Sequence, residues 1–117
     1  TSICPATMTI SKDELREIMK KAAAYDNEEG AKLVGINMEG PFISEAKKGA
    51  QSSKYILKCD AKLFDELNDL SGNIIKLVDI APENDGAMEF IKEVKDRVIV
   101  SIAHTMADYD TASKAFE

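Results

Sequence analysis

The chain has 117 residues, of which 44% are hydrophobic and 31% charged, a globular composition that excludes collagen-like, disordered and low-complexity proteins. Its 21 acidic and 15 basic side chains leave a net charge of −6, so the surface as a whole repels nucleic-acid phosphates and anionic lipids. No apolar run approaches the roughly 20 residues that cross a bilayer. We therefore expect a cytoplasmic protein without nucleic-acid or membrane partners. Cys4 and Cys59 are too few for a disulfide framework or a CxxC metal site, and we expect both to be buried.

Short apolar runs alternate with amphipathic segments along the chain, which is typical of parallel strands joined by crossover helices. The first run, 3–7, contains a proline and predicts a short or edge strand. Ser11 and Glu14 form a capping box, so a helix is expected to begin there and to stop before Gly30. Its apolar face comprises Leu15, Ile18, Met19 and Ala22.

A nearly continuous apolar run at 33–38 predicts a second strand, covered on both faces, with Glu39 at its carboxyl end. Neither a helical nor a strand period follows between 40 and 57. Loops of this length are uncommon in compact domains unless they have a function, so 40–57 is a candidate binding loop.

The next unit begins at Asp60, a predicted N-cap, and its helix is expected to end at Gly72. The run 74–80 predicts the third strand. A further helix at about 86–97 then leads to the last strand.

That last strand, 98–103, ends at the only histidine, His104. Thr105 is expected to cap a final helix. The inward side chains of that helix are predicted to be Tyr109, Ala112 and Phe116. Because the chain starts at Thr1 rather than at a methionine and stops within this helix, we expect a segment of a longer protein.

Four strand–helix units fit two architectures. A doubly wound, flavodoxin-like open sheet would be complete at this size and would suit a small binding or signalling module without catalysis, whereas a (β/α)8 TIM-type barrel averages about 30 residues per unit. The open sheet favours a glycine-rich phosphate loop before its first helix, and 7–11 contains no glycine. We therefore predict an α/β fold in which 1–117 is one partial barrel of about four β/α units with parallel strands.

In both architectures the active edge is the carboxyl end of the strands, where Glu39, Glu83 and His104 arrive. A carboxylate and an imidazole both offer lone pairs to a divalent transition metal at neutral pH. Two ligands are fewer than tight sites use, and spacing alone leaves open that Glu39 and His104 are ordinary surface residues. Glu83 can equally be a carboxylate that anchors a loop or a charge at a helix entry.

The order of residues at the strand ends is more specific than their spacing. It is carried by three runs: Gly35-Ile36-Asn37-Met38-Glu39-Gly40-Pro41, Ala81-Pro82-Glu83 and Ser101-Ile102-Ala103-His104-Thr105. In this order and with these gaps, the chain resembles the N-acetylglucosamine-6-phosphate deacetylases of the amidohydrolase superfamily over essentially its whole length.

The resemblance implies a divalent metal ion, zinc or iron, bound by Glu39 and His104. It places the backbone of Ala50 and the side chain of Gln51 where the loop meets the sugar phosphate of the substrate. Three positions depart from the family pattern: Asn37 stands where many members have histidine, Gln51 replaces a histidine that some members have, and Ala103 replaces a glycine. The metal position stays intact, but Gln51 cannot supply a positive charge.

The implied activity is metal-dependent deacetylation of N-acetylglucosamine 6-phosphate to glucosamine 6-phosphate and acetate, in amino-sugar catabolism. The family's second metal histidine and catalytic aspartate come from later strands. We therefore expect this chain to contain no catalytic residue, to bind metal weakly and to hydrolyse nothing by itself. Unpaired sheet edges and an open interior predict self-association into a homo-oligomer.

Overall fold

A computed structural model describes residues 1–117 and shows parallel strands joined by helices. The strands are β1 (Ser2–Ile3), β2 (Lys32–Leu33), β3 (Ile36–Glu39), β4 (Ile75–Ile80) and β5 (Ile99–Ile102). The helices are α1 (Lys12–Ala23), α2 (Ala61–Leu70), α3 (Ala87–Val94) and α4 (Tyr109–Phe116). The predicted α/β class with parallel strands is confirmed.

Neighbouring strands of the main sheet follow one another in chain order. β3 pairs with β4, and β4 pairs with β5. On the other side of β3, the segment after β1 forms a parallel bridge, in which the Thr7 N–H donates to the Asn37 carbonyl at 2.9 Å. The order is thus the segment at 5–7, β3, β4 and β5, without the reversal that defines a doubly wound sheet. This topology disfavours the flavodoxin-like alternative.

The helices α1, α2 and α3 pack around one apolar cluster on one face of the sheet. Because side chains alternate along a strand, Met38 and Val78 both enter this cluster and are fully buried. Phe64 and Phe90 of α2 and α3 meet edge to face with ring centroids 5.9 Å apart, and Phe42 from the loop after β3 joins them at 5.2 Å. The loop is therefore anchored in the core.

The alternate strand positions point to the opposite face of the sheet, and this face is more polar. They include Asn37, Glu39, Asp79 and Ser101. Ile99 lies on the same face and is 64% exposed, so no helix covers it. None of the helices has the length and apolar character that crossing a membrane requires.

Two helix starts have the caps that the sequence predicts. The Ser11 hydroxyl accepts from the Glu14 N–H, while the Glu14 carboxylate accepts from the Ser11 N–H. The Asp60 carboxylate accepts from the N–H groups of Lys62 and Leu63. These local contacts fix where α1 and α2 begin.

The predicted single strand at 33–38 is wrong, because the chain divides there into β2 and β3. β2 pairs with β1, whereas β3 pairs with β4, so the two halves of the run join different sheets. At the break Val34 is exposed. Gly35 lies so close to Lys76 that a Cβ at Gly35 would stand 2.3 Å from the Lys76 Cγ.

The predicted cap of the last helix is also wrong. Asp108, rather than Thr105, accepts from the Thr111 N–H and starts α4, whereas the Thr105 hydroxyl donates to the Glu83 carboxylate and accepts from the Ala107 N–H. Tyr109 and Phe116 were expected to face inward, but they are 84% and 80% exposed.

The two cysteines differ, contrary to the expectation that both are buried. Cys4, directly after β1, is exposed, and Cys59 is half-buried. Burial raises the pKa of the Cys59 thiol to about 12.

Since the thiolate is the reactive form, we expect iodoacetamide at about pH 8 to alkylate Cys4 at least about tenfold faster than Cys59, as measured by peptide mass spectrometry. Denatured chain, in which both thiols should react alike, is the control, and equal rates in the folded chain would contradict the prediction.

Candidate metal and substrate site

Glu39 and His104 meet at the carboxyl edge of the sheet, as their positions at strand ends predict. Glu39 closes β3, and His104 follows β5, with β4 between the two strands. The His104 Nε2 lies 3.0 Å from the Glu39 Oε1. Each side chain is 28% exposed, so a ligand can reach the pair while the sheet holds it in place.

The contacts of the two ring nitrogens determine the tautomer of neutral His104. Its Nδ1 lies 2.8 Å from the Lys47 carbonyl oxygen, which can only accept, so Nδ1 carries a proton. In the neutral imidazole the lone pair is then on Nε2, directed at the carboxylate. Two such atoms at 3.0 Å need a proton or a cation between them. Ligand atoms around one metal ion, with bonds of about 2.0–2.2 Å, also lie roughly 3 Å apart, so the pair fits a divalent metal.

The backbone of His104 is strained. Its φ is +48°, in the left-handed region that residues other than glycine rarely occupy, at a cost of about 1–2 kcal/mol. The Ser44 N–H donates to the His104 carbonyl at 2.9 Å and so fixes this conformation from the loop after β3. The loop after β3 therefore orients His104 through two contacts, one from Ser44 to its backbone and one from Lys47 to its ring.

Gln51 connects three parts of the site and is 6% exposed. Its Oε1 accepts from the Thr9 N–H at 2.7 Å, and its Nε2 donates to the Glu39 Oε1 at 2.7 Å. The amide therefore orients the Glu39 carboxylate and keeps one N–H for another acceptor. Its predicted role at the substrate stays a prediction.

Ala50 lies beside Gln51 in an exposed turn of the loop, and its predicted backbone contact with the substrate likewise stays a prediction. The neighbouring Lys48 ammonium donates to the Gln51 carbonyl at 3.1 Å. A positive charge is thus held on the same turn as both candidate substrate residues.

Asp79 and Asn37 form a second polar pair on the same face of the sheet. The Asn37 Nδ2 donates to the Asp79 Oδ2 at 2.8 Å, and Asp79 stands opposite Glu39 in the strand register. Asp79 is 7% exposed, and the Asn37 Oδ1 is buried without a partner. Sequence reasoning missed Asp79 because one acid in an apolar strand carries no spacing signal. Asp79 lies opposite Glu39 only because of the register between β3 and β4.

Asn84 holds both ends of the loop 40–57. Its Nδ2 donates to the carbonyls of Ile43 at 3.3 Å and Leu57 at 3.0 Å, and its Oδ1 accepts from the Cys59 N–H at 2.9 Å. Between these ends the loop contains only two short 3-10 turns, at 45–47 and 53–55. Sequence reasoning missed Asn84 because an asparagine after proline and glutamate is an ordinary turn residue.

The third strand-end residue, Glu83, lies outside the Glu39–His104 pair and contacts Thr105 and Met106 instead. No three His, Cys, Asp or Glu side chains are arranged to hold a metal ion together. Glu39 and His104 are thus the candidate ligands within this chain.

No protein-family model matches the chain. The N-acetylglucosamine-6-phosphate deacetylase of Bacillus subtilis is 42% identical over 96 residues, which are 81% of this chain and 24% of the relative. That of Danio rerio is 32% identical over 121 residues, covering 100% of this chain and 30% of the relative. The chain belongs to the N-acetylglucosamine-6-phosphate deacetylase family. It spans about a quarter to three tenths of the length of these relatives.

Solved structures of the deacetylase family show the same fold in this segment. The N-acetyl-D-glucosamine-6-phosphate deacetylase of Mycobacterium smegmatis superposes with a TM-score of 0.89 at 26% identity, over 99% of this chain and 30% of that one. A variant of the Mycobacterium smegmatis enzyme was solved in complex with N-acetyl-D-glucosamine 6-phosphate. The deacetylase of Pasteurella multocida gives a TM-score of 0.86 at 27% identity.

His104 is the only histidine of the chain, so its titration tests whether the Glu39–His104 pair forms. The hydrogen bond to the Lys47 carbonyl and the charge of Glu39 raise the pKa of His104 above 6.5, although burial opposes the shift. A raised pKa means that protonated His104 stabilises the fold below pH 6.5 and that this contribution is lost as the pH rises through the folded-state pKa.

We expect an NMR titration of the metal-free chain, in the presence of a chelator, to give a pKa above that of a histidine peptide. The substitution Glu39→Gln should lower the pKa, whereas Glu45→Gln, which alters an exposed carboxylate of the same loop, should leave it unchanged. A peptide-like pKa in the unsubstituted chain would show that the pair does not form.

Proposed function

We propose that this chain forms the metal-binding edge of an enzyme that converts N-acetylglucosamine 6-phosphate to glucosamine 6-phosphate and acetate. The observation that carries the proposal is the Glu39–His104 pair, with its donor atoms 3.0 Å apart, in a segment whose relatives are deacetylases of this substrate by name. The enzyme would act in amino-sugar catabolism in the cytoplasm.

In this proposal Glu39 and His104 hold a divalent metal ion, zinc or iron. When bound, such an ion polarises the acetamide carbonyl and supplies a hydroxide at neutral pH. The chain's own residues prepare the ligands. The bond from Nδ1 of His104 to the Lys47 carbonyl keeps the Nε2 lone pair available, and the Gln51 amide holds the Glu39 carboxylate in orientation.

The substrate would lie along the turn that follows the loop's first 3-10 segment. We assign its sugar phosphate to the backbone of Ala50 and to the remaining N–H of Gln51. Because Gln51 is neutral, the positive charge that a phosphate favours would come from Lys48, whose ammonium is held on the Gln51 carbonyl.

We further propose that the segment forms about four units of a (β/α)8 barrel. The unreversed order of parallel strands and the helices on one face of the sheet support this arrangement. The polar positions Asn37, Glu39 and Asp79 would face the barrel interior. Further strands of the same barrel would cover the exposed Ile99, and without them the free sheet edge would favour homo-oligomers.

With two protein ligands, metal binding by the chain should be weak. We expect isothermal titration with Zn²⁺ to give a dissociation constant above about 1 μM, against roughly 10⁻⁷ to 10⁻¹² M for four-ligand structural sites. Glu39→Gln should weaken binding at least about tenfold, and the matched Glu45→Gln should not. Equal Zn²⁺ affinities of the two variants would show that Glu39 does not bind the metal.

The activity is tested by grafting residues 1–117 in place of the matching segment of the Bacillus subtilis relative. We expect the graft to release acetate from N-acetylglucosamine 6-phosphate, and Glu39→Gln in the graft to lower the rate at least about a hundredfold, the scale of losing one transition-state contact. The chain alone should release none, because this proposal assigns it no catalytic residue.

Circular dichroism and the Glu45→Gln graft control for folding. A folded graft that binds metal but releases no acetate would contradict the proposed activity. Acetate release by the chain alone would contradict the assignment of catalysis to residues outside it.

A further inference from the structure

Glu83 follows β4, yet its carboxylate reaches the segment that follows β5. The Glu83 Oε1 accepts from the Met106 N–H at 2.6 Å, and the Glu83 Oε2 accepts from the Thr105 hydroxyl. The same hydroxyl accepts from the Ala107 N–H at 2.8 Å. One carboxylate thus holds the two residues directly after His104.

The backbone of His104 depends on such support because the strand ladder ends just before it. The last bond of the ladder runs from the Ala103 N–H to the Ile80 carbonyl at 3.0 Å. Beyond it, His104 turns into its left-handed conformation and is held by Ser44 on one side. Glu83 holds the chain on the other side.

We propose that Glu83 is a positioning residue of the metal site, which directs the His104 imidazole towards Glu39 by clamping Thr105 and Met106. The effect on metal binding rests on the proposed function, whereas the clamp itself does not. The alternative is that Glu83 only places a favourable charge at the start of α3. That role would need neither of these hydrogen bonds, and α3 begins at Ala87, after the turn that contains Glu83.

The state of the carboxylate agrees with this role. Burial would raise the pKa of Glu83, but hydrogen bonds, led by those from the Thr105 hydroxyl and the Met106 N–H and joined by a smaller contribution from the Ser44 side chain, outweigh it and hold the pKa below 4.5. The clamp is therefore charged at neutral pH.

The clamp is tested with Glu83→Ala and with Thr105→Val, which removes the hydroxyl's bonds to Glu83 and to the Ala107 N–H at nearly constant volume. Thr105→Ser keeps the hydroxyl, and Glu89→Ala alters an exposed carboxylate on α3. Hydrogen exchange of the Ser44 and Ala107 amides in the metal-free chain reports the geometry around His104, and exchange of helix α2 amides reports global stability. Titration with Zn²⁺ is the second measurement.

We expect Glu83→Ala to speed exchange at Ser44 and Ala107 at least about tenfold relative to the α2 amides, and to weaken Zn²⁺ binding by about 10- to 100-fold. Thr105→Val should act in the same direction, while Thr105→Ser and Glu89→Ala stay near the unsubstituted chain. Should Glu83→Ala fail to fold, Thr105→Val and Thr105→Ser decide the question.

Uniformly faster exchange, or unchanged Ser44 exchange in both disruptive variants, would overturn the clamp. If the unsubstituted chain binds no Zn²⁺ while the local exchange changes as expected, the clamp stands and the metal assignment of the proposed function fails. If Zn²⁺ binds and its affinity does not respond to either disruptive variant, the metal assignment stands and the positioning role fails.

Discussion

The parallel register of β3, β4 and β5 is the constraint on which the candidate site depends. It sets Glu39 opposite Asp79 and Asp79 opposite Ser101, so the three strands end at one level. A slip of one residue would turn the polar positions into the apolar layer under the helices. The packing that buries Met38 and Val78 therefore also fixes the direction of Glu39 and Asp79.

One oxygen of the Glu39 carboxylate contacts residues from distant parts of the chain. The Glu39 Oε1 lies 2.7 Å from the Gln51 amide and 3.0 Å from the His104 ring, and Gln51 in turn holds the Thr9 N–H. These residues come from the segment before α1, from β3, from the loop and from the segment after β5. The site is consequently a product of tertiary packing, and loosening any one segment would affect the others.

The sequence predicts best what nearby residues decide. The caps at Ser11 and Asp60 satisfy backbone groups within three residues, so a local pattern is sufficient to place them. The run 33–38 fails as a single strand because the choice of pairing partner, which is not local, divides it. Thr105 is the cap that the local pattern predicts, but Asp108 accepts from the Thr111 N–H, and the Thr105 hydroxyl contacts the distant Glu83.

In the candidate site, too, the sequence predicts the local features, and distant contacts determine the rest. The order of residues around Glu39 and His104 is visible in the sequence and indicates the family. Their separation depends on β4 lying between their strands, and the roles of Asp79 and Asn84 depend on register and on contacts across 25 or more residues. No local pattern carries those facts.

The hydrogen bonds of Asn84, called here the Asn84 staple, determine where the loop 40–57 can change in length. Because one side chain holds the carbonyls of Ile43 and Leu57, and the Leu57 N–H donates to the Pro41 carbonyl at 2.9 Å, the loop leaves and rejoins the scaffold at fixed points. Closure entropy grows only slowly with loop length. Insertions or deletions within 52–56, between Gln51 and the staple, could therefore reshape the rim above the site while the metal pair stays where the sheet places it.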